Sequence, residues 1–128
     1  MSSVRKHYSQ LSSQESTFLW RQLLEVEKWN PSNHFKDKLY ERGGELEAIL
    51  DALHESSIVE YHLRNNFSRV LVRSVRAFNG YVPCIVFQPK TKTIITMYWN
   101  HERDNHSTIN MGAYTKEIDV FSSWENSL

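Results

Sequence analysis

Residues able to handle protons and phosphate gather in two short segments of this sequence. The first, Asn33-His34-Phe35-Lys36-Asp37-Lys38-Leu39-Tyr40-Glu41-Arg42, has a helical pattern and sets one histidine among cations. The second, Thr93-Ile94-Ile95-Thr96-Met97-Tyr98-Trp99-Asn100, has a strand pattern. Alternate side chains of a strand share a face, so Thr96 and Tyr98 offer two hydroxyls from one surface. Histidine suits either proton role because its unperturbed pKa is about 6.5. Cations stabilise charge that grows on phosphorane oxygens. A histidine and cations on a helix, facing hydroxyls on a strand, would make a phosphate site with an acid–base group. His34 is the candidate acid–base residue. Lys38 and Arg42 lie nearer its helical face than Lys36 does.

Each of these residues also has a plainer role open to it. His34 follows a Pro-Ser-Asn break and suits an exposed helix start. Tyr98 suits a core, and Lys36, Lys38 and Arg42 suit solvated pairs with Asp37 and Glu41. Arg73 would join the site if its strand lay beside that of Thr96. The polar stretch 101–115 follows the second segment, and functional residues often occupy such loops. His106, Thr108 and Tyr114 are its candidates to complete the phosphate site. The plain alternative is a run of turns in which Asn, Asp, Ser and Thr bond the local backbone. His101, Glu102, Asp104 and His106 could also ligate a divalent ion, but they lack helical metal-ligand spacing and a cysteine partner. No metal site and no cofactor is expected.

The pairing of His34, Lys36 or Lys38 with Thr96 and Tyr98 resembles the metal-independent ribonuclease superfamily of barnase, EndoU, colicin-type and RelE-type toxins. The resemblance spans about residues 32–100. It implies helices ahead of a small antiparallel sheet. It also implies an acid–base His or Lys on a helix and a hydroxyl pair on a late strand. The expected reaction is RNA cleavage by internal transesterification to a 2′,3′-cyclic phosphate. Expected partners are RNA, with transfer or messenger RNA both open, and a cognate inhibitor protein. Tyr98 or Trp99 would stack on a base. A fold shared with nucleases does not fix function. The alternative is a non-catalytic protein-binding module, such as an immunity protein, an antitoxin or a phage-encoded inhibitor of a host factor. Four tryptophans and an acidic stretch suit protein binding.

Composition bounds both readings. The 128 residues suit one domain, with 40% hydrophobic and 23% charged residues. Net charge is zero with His neutral, which argues against extended contact with duplex DNA. Charge is nonetheless segregated. Glu45, Glu47, Asp51, Glu55 and Glu60 precede Arg64, Arg69, Arg73 and Arg76. The lone Cys84 sits among Val82, Pro83, Ile85 and Val86, and reads as a buried thiol. The first residues lack the apolar run of a secretory signal, and no stretch is apolar enough for a membrane helix. A cytoplasmic protein is expected, or one that a phage or mobile element makes in a host.

These segments need elements to position them. Ser12-Ser13-Gln14-Glu15 fits a capping box, and Leu19, Leu23 and Val26 continue it as a helix to about Trp29. Asn30-Pro31-Ser32-Asn33 breaks the chain and starts a second helix, which Gly43-Gly44 interrupts. Leu46, Ile49, Leu50 and Leu53 form the stripe of a third. Strands are expected over Ser57 to Leu63, Arg69 to Phe78, Tyr81 to Phe87 and Thr93 to Trp99. Asn79-Gly80 marks a hairpin, and Pro83 suggests an edge or a strand end. Ile118, Val120, Phe121 and Trp124 suggest a final packed strand or helix. The fold class is α+β: a helical part over about 12–55 packs on an antiparallel sheet of about four strands over 57–100, and a polar loop and C-terminal segment follow at 101–128.

Overall fold

Ser12 opens the first helix as its capping box requires: its hydroxyl accepts the Glu15 N–H at 3.0 Å, and the Glu15 carboxylate accepts the Ser12 N–H at 2.9 Å. The computed structural model that displays this describes residues 3–103 and 111–128. Helix α1 runs Ser13–Leu24 and ends five residues before Trp29. Trp29, just ahead of Asn30, lies outside the helix and reaches the core, where its ring packs 4.7 Å from that of Phe87. Ser32 caps α2, Asn33–Tyr40, by accepting the Phe35 N–H. A shorter helix α3, Leu46–Asp51, continues as a 3-10 turn through Glu55, and α4 spans Val120–Glu125.

The four expected strands are present, as β3 (Ser56–Arg64), β4 (Phe67–Ser74), β5 (Tyr81–Gln88) and β6 (Thr93–His101). Two more strands extend the sheet. Strand β1, Ser3–His7, pairs antiparallel with β3, and the two-residue β2, Asn30–Pro31, pairs parallel with β6. The sheet is therefore six-stranded and mixed, in the order β1-β3-β4-β5-β6-β2. The chain opens on a strand and carries a helix near its end, so helices do not simply precede strands.

Two-residue turns set the hairpin registers. Asn65 and Asn66 take φ of 50° and 66° between β3 and β4, and Asn79 and Gly80 take 54° and 82° ahead of β5. Such left-handed pairs match the twist of antiparallel strands. Strand β4 stops at Ser74, four residues short of the expected Phe78, which forms only an isolated bridge with Tyr81. Pro83 lies in a central strand and not at an edge. The β4–β5 ladder ends at Arg73 and Cys84, one residue away, so Pro83 needs no donor toward β4.

The four α-helices of the described residues lie on one face of the sheet. Leu19, Leu23, Phe35, Leu39, Ile49, Val120 and Trp124 pack there against Tyr61, Val70, Val72, Ile85, Phe87, Ile94 and Met97. At one end of this core Lys6 is 6% exposed, and its ammonium contacts both Glu15 carboxylate oxygens at 3.0 and 3.1 Å. Glu15 also accepts the Val120 N–H at 3.1 Å, so one carboxylate joins β1, α1 and α4. The opposite sheet face carries a smaller apolar strip of Val59, Leu71, Cys84 and Val86, bordered by polar residues. No described helix is long and apolar enough to cross a membrane.

Candidate functional site

A bulge between Ile58 and Glu60 turns both Val59 and Glu60 to the open face, and from Glu60 on strand β3 alternates with a period of two. Tyr61 and Leu63 turn to the helices, while Glu60, His62 and Arg64 turn to the open face. Register then surrounds His62 with cations. It stands opposite Arg5 of β1 on one side and Arg69 of β4 on the other. Thr96 and Tyr98 reach the same face from β6, where they pair with Val86 and Cys84. Tyr114, beyond the last strand, closes the rim and donates its hydroxyl to Glu60 Oε1 at 3.0 Å. A backbone bond from the Thr115 N–H to the Arg5 carbonyl holds that segment beside β1. The result is a cavity of about 330 Å³ lined by Arg5, Glu60, His62, Thr96, Tyr98 and Tyr114, with Val59, Leu71 and Val86 as its apolar floor.

The electrostatics of this cavity are unusual. His62 is 8% exposed. Burial is the main cause that lowers its pKa to about 4, and Arg5, Arg69 and Arg64 add to the effect. The imidazole is therefore neutral at neutral pH. Burial moves the Glu60 carboxyl the other way, above the usual carboxylate range, although Arg5 and the Tyr114 hydrogen bond partly oppose it. Arg5 Nε lies 3.6 Å from Glu60 Oε2. Tyr98 exposes 42% of its surface, yet its hydroxyl leans over Cys84 and stays protonated well above the usual range. Burial of the hydroxyl is the chief cause there, followed by Cys84, Glu60 and Tyr114. The Tyr114 phenol is also raised, by burial and by Glu60. His7 sits beside this group, with its ring 5.1 Å from that of Tyr114 and nearly perpendicular to it. Arg69 keeps its place by donating from Nε to Gln88 Oε1 at 2.9 Å.

The structure brings together Thr96, Tyr98 and Tyr114, but it does not bring His34 to them. Helix α2 packs through Phe35 and Leu39 on the helix-covered face, and His34 and Lys36 are exposed beyond it. Lys38 pairs with Glu41 at 3.3 Å, and its carbonyl accepts the Trp99 indole N–H at 2.8 Å. Trp99 thus turns to the helices and is no stacking platform on the open face. Arg42 lies 3.5 Å over the Tyr81 ring. Arg73 shares the open face, but β5 separates its strand from that of Thr96. Cys84 is fully buried. His106 and Thr108, with Asp104, lie outside the described residues.

Arg5, Glu60 and His62 escape the sequence reading. The available signal is the alternation Glu60, His62, Arg64 against Tyr61 and Leu63. Comparison with protein-family models, curated proteins and solved structures returns no match, so function rests on the geometry of the site.

Proposed function

We propose that the open face of the sheet is the active site of a metal-independent endoribonuclease that forms a 2′,3′-cyclic phosphate. The observation that carries this reading is the register of His62 between Arg5 and Arg69, with Glu60 two residues away on the same face. A phosphodiester placed among the arginines puts a ribose beside a neutral imidazole and a buried carboxyl. The His62 imidazole takes the 2′-hydroxyl proton as the 2′-oxygen bonds to phosphorus. The bond from phosphorus to the 5′-oxygen breaks, and the protonated form of Glu60, which burial favours, gives its proton to that leaving oxygen. Exchange with water resets both groups. Arg5, Arg64 and Arg69 stabilise charge on the non-bridging oxygens, and Thr96 and Tyr98 supply hydroxyl donors. His34, on the other layer, has no part in this mechanism.

The protonation states set the pH dependence. His62 stays neutral down to about pH 4, while Glu60 gains protons as pH falls. A bound phosphate offsets the arginines that depress His62, and so raises its proton affinity. The optimum therefore lies on the acid side of neutrality. The test is incubation of the purified protein with total RNA in EDTA between pH 4 and 9, followed by end-group analysis. Discrete fragments ending in 2′,3′-cyclic phosphate are expected. They should be diminished by roughly a hundredfold or more in His62→Ala and retained in His34→Ala. Intact RNA with EDTA and with magnesium alike, or equal cleavage by His62→Ala, refutes the proposal. The former result would point to the protein-binding alternative.

A further inference from the structure

A second cavity, of about 550 Å³, opens on the same side of the sheet where β3 begins and β4 ends, lined by Ser57, Arg73, Ser74, Val82, Glu102 and Arg103. Among the described residues, the buried Nη1 of Arg73 has no hydrogen-bond partner. A buried guanidinium nitrogen without an acceptor is costly, and such groups usually mark an ion or solvent site. The cavity holds two arginines against one carboxylate, so an anion fits its charge. The neighbouring Arg76 is engaged elsewhere, with Glu55 at 2.9 Å.

The register joins the two cavities. Tyr98, Cys84, Arg73 and Ser57 form one row across β6, β5, β4 and β3. The small Cys84 leaves the Tyr98 ring standing over the gap between them. From Arg69, opposite His62, to Arg73 is four residues of strand, or about 13 Å. That span leaves room for a nucleotide between two held phosphates, and the exposed Tyr98 ring, in the row of Arg73, is placed to stack on a base at that end.

We infer that the Arg73–Arg103 cavity is a second phosphate subsite, so that the substrate is single-stranded RNA longer than a dinucleotide, laid across the sheet from His62 past Tyr98 to Arg73. This rests on the reading of the open face as the RNA-cleaving site. Duplex RNA does not fit it, because its bases are not free to stack on a tyrosine.

Binding of 2′-O-methyl oligonucleotides, which cannot be cleaved, tests the inference by fluorescence anisotropy. Wild-type protein should bind a pentanucleotide at least tenfold more tightly than a dinucleotide. In Arg73→Gln that ratio should collapse, and the slope of log affinity against log salt should fall by about 0.7. Arg73→Lys should keep the slope and recover part of the affinity, since lysine supplies the charge without the fork. Arg103→Gln, at an exposed position, gives the same comparison should Arg73→Gln fail to fold. An unchanged ratio in folded Arg73→Gln or Arg103→Gln overturns the inference. If wild-type protein binds neither oligonucleotide, inorganic pyrophosphate is titrated while the arginine Nε resonances are followed by NMR. A shift at Arg73 then supports an anion site although the cleavage reading falls. No shift at Arg73 overturns both.

Discussion

His62 ties the proposed chemistry to the stability of the fold, and acid should expose that link. An unfolded histidine titrates at 6.5, whereas the folded one titrates at about 4. Below pH 6.5 the unfolded chain binds a proton that the folded one refuses, so stability present above that pH drains away as pH falls. The slope is about 1.4 kcal/mol per pH unit, and over the whole window the loss is about 3 kcal/mol. Glu60 acts with the opposite sign. Its folded pKa is raised, so its contribution is present below 4.5 and lost as pH rises through the folded value. It therefore returns part of what His62 loses as the solution is acidified. Urea unfolding of wild type and His62→Gln at pH 7.5, 6.5, 5.5 and 4.5 separates the two, because Glu60 is common to both proteins. The wild-type free energy should fall relative to the variant by roughly 2–3 kcal/mol across that series. Parallel curves would refute the neutral, arginine-flanked histidine, and with it the proposed base. Saturating phosphate should flatten the wild-type slope, since an anion among the arginines raises the folded pKa.

Two further predictions concern the frame. Glu15→Ala leaves the Lys6 ammonium buried without its carboxylate and should cost about 3–5 kcal/mol in urea unfolding, while Lys6→Met with Glu15→Leu should cost less than the single change. Because Glu15 titrates below its ordinary 4.5, its contribution is present above that pH and is lost in stronger acid, starting at the lower end of the His62 window. Burial opposes its ionisation, but Ser12, Lys6 and Val120 outweigh that cost. Gly44→Ala places a methyl 2.6 Å from Leu39 Cδ1 and 2.9 Å from the Leu39 carbonyl. It should lower stability by about 1–3 kcal/mol in thermal melts, whereas a methyl at Gly43 meets no atom within 4 Å and is opposed only by φ of +66°.

The strands of the central meander were legible because period-two patterning and turn residues agree along them. Strand β1 was not. Of its inward residues, Val4 and Lys6, the second is a cation that Glu15 neutralises, so the apolar alternation is not sustained. Strand β2 is too short to have a pattern. The hydroxyl half of the site was legible for the same reason as the meander: Thr96 and Tyr98 had to share a face. What neither segment encodes alone is which sheet face α2 covers. That depends on the parity of Met97 and Trp99, which face the helices and leave Thr96 and Tyr98 on the other side. Glu60 was hidden by its neighbours in sequence, since grouping acids from Glu45 onward joins a site carboxylate to solvated helix charges.

The two-residue strand β2 has a role beyond filling out the sheet. Strand β6 carries Thr93-Ile94-Ile95-Thr96-Met97-Tyr98-Trp99, an uncharged run with high β propensity and no proline. Left as a bare edge, such a run templates pairing between molecules and fibril growth. Asn30 and Ser32 occupy that edge instead, donating their N–H groups to the Lys92 and Ile94 carbonyls at 2.7 and 3.0 Å. The Ser32 hydroxyl donates to Ile95 O at 2.6 Å while also capping α2. Pro31, between them, has no N–H to offer a further strand. The break between the first two helices thus doubles as a guard against self-association, and it covers the start of β6 without obstructing the face that Thr96 and Tyr98 share.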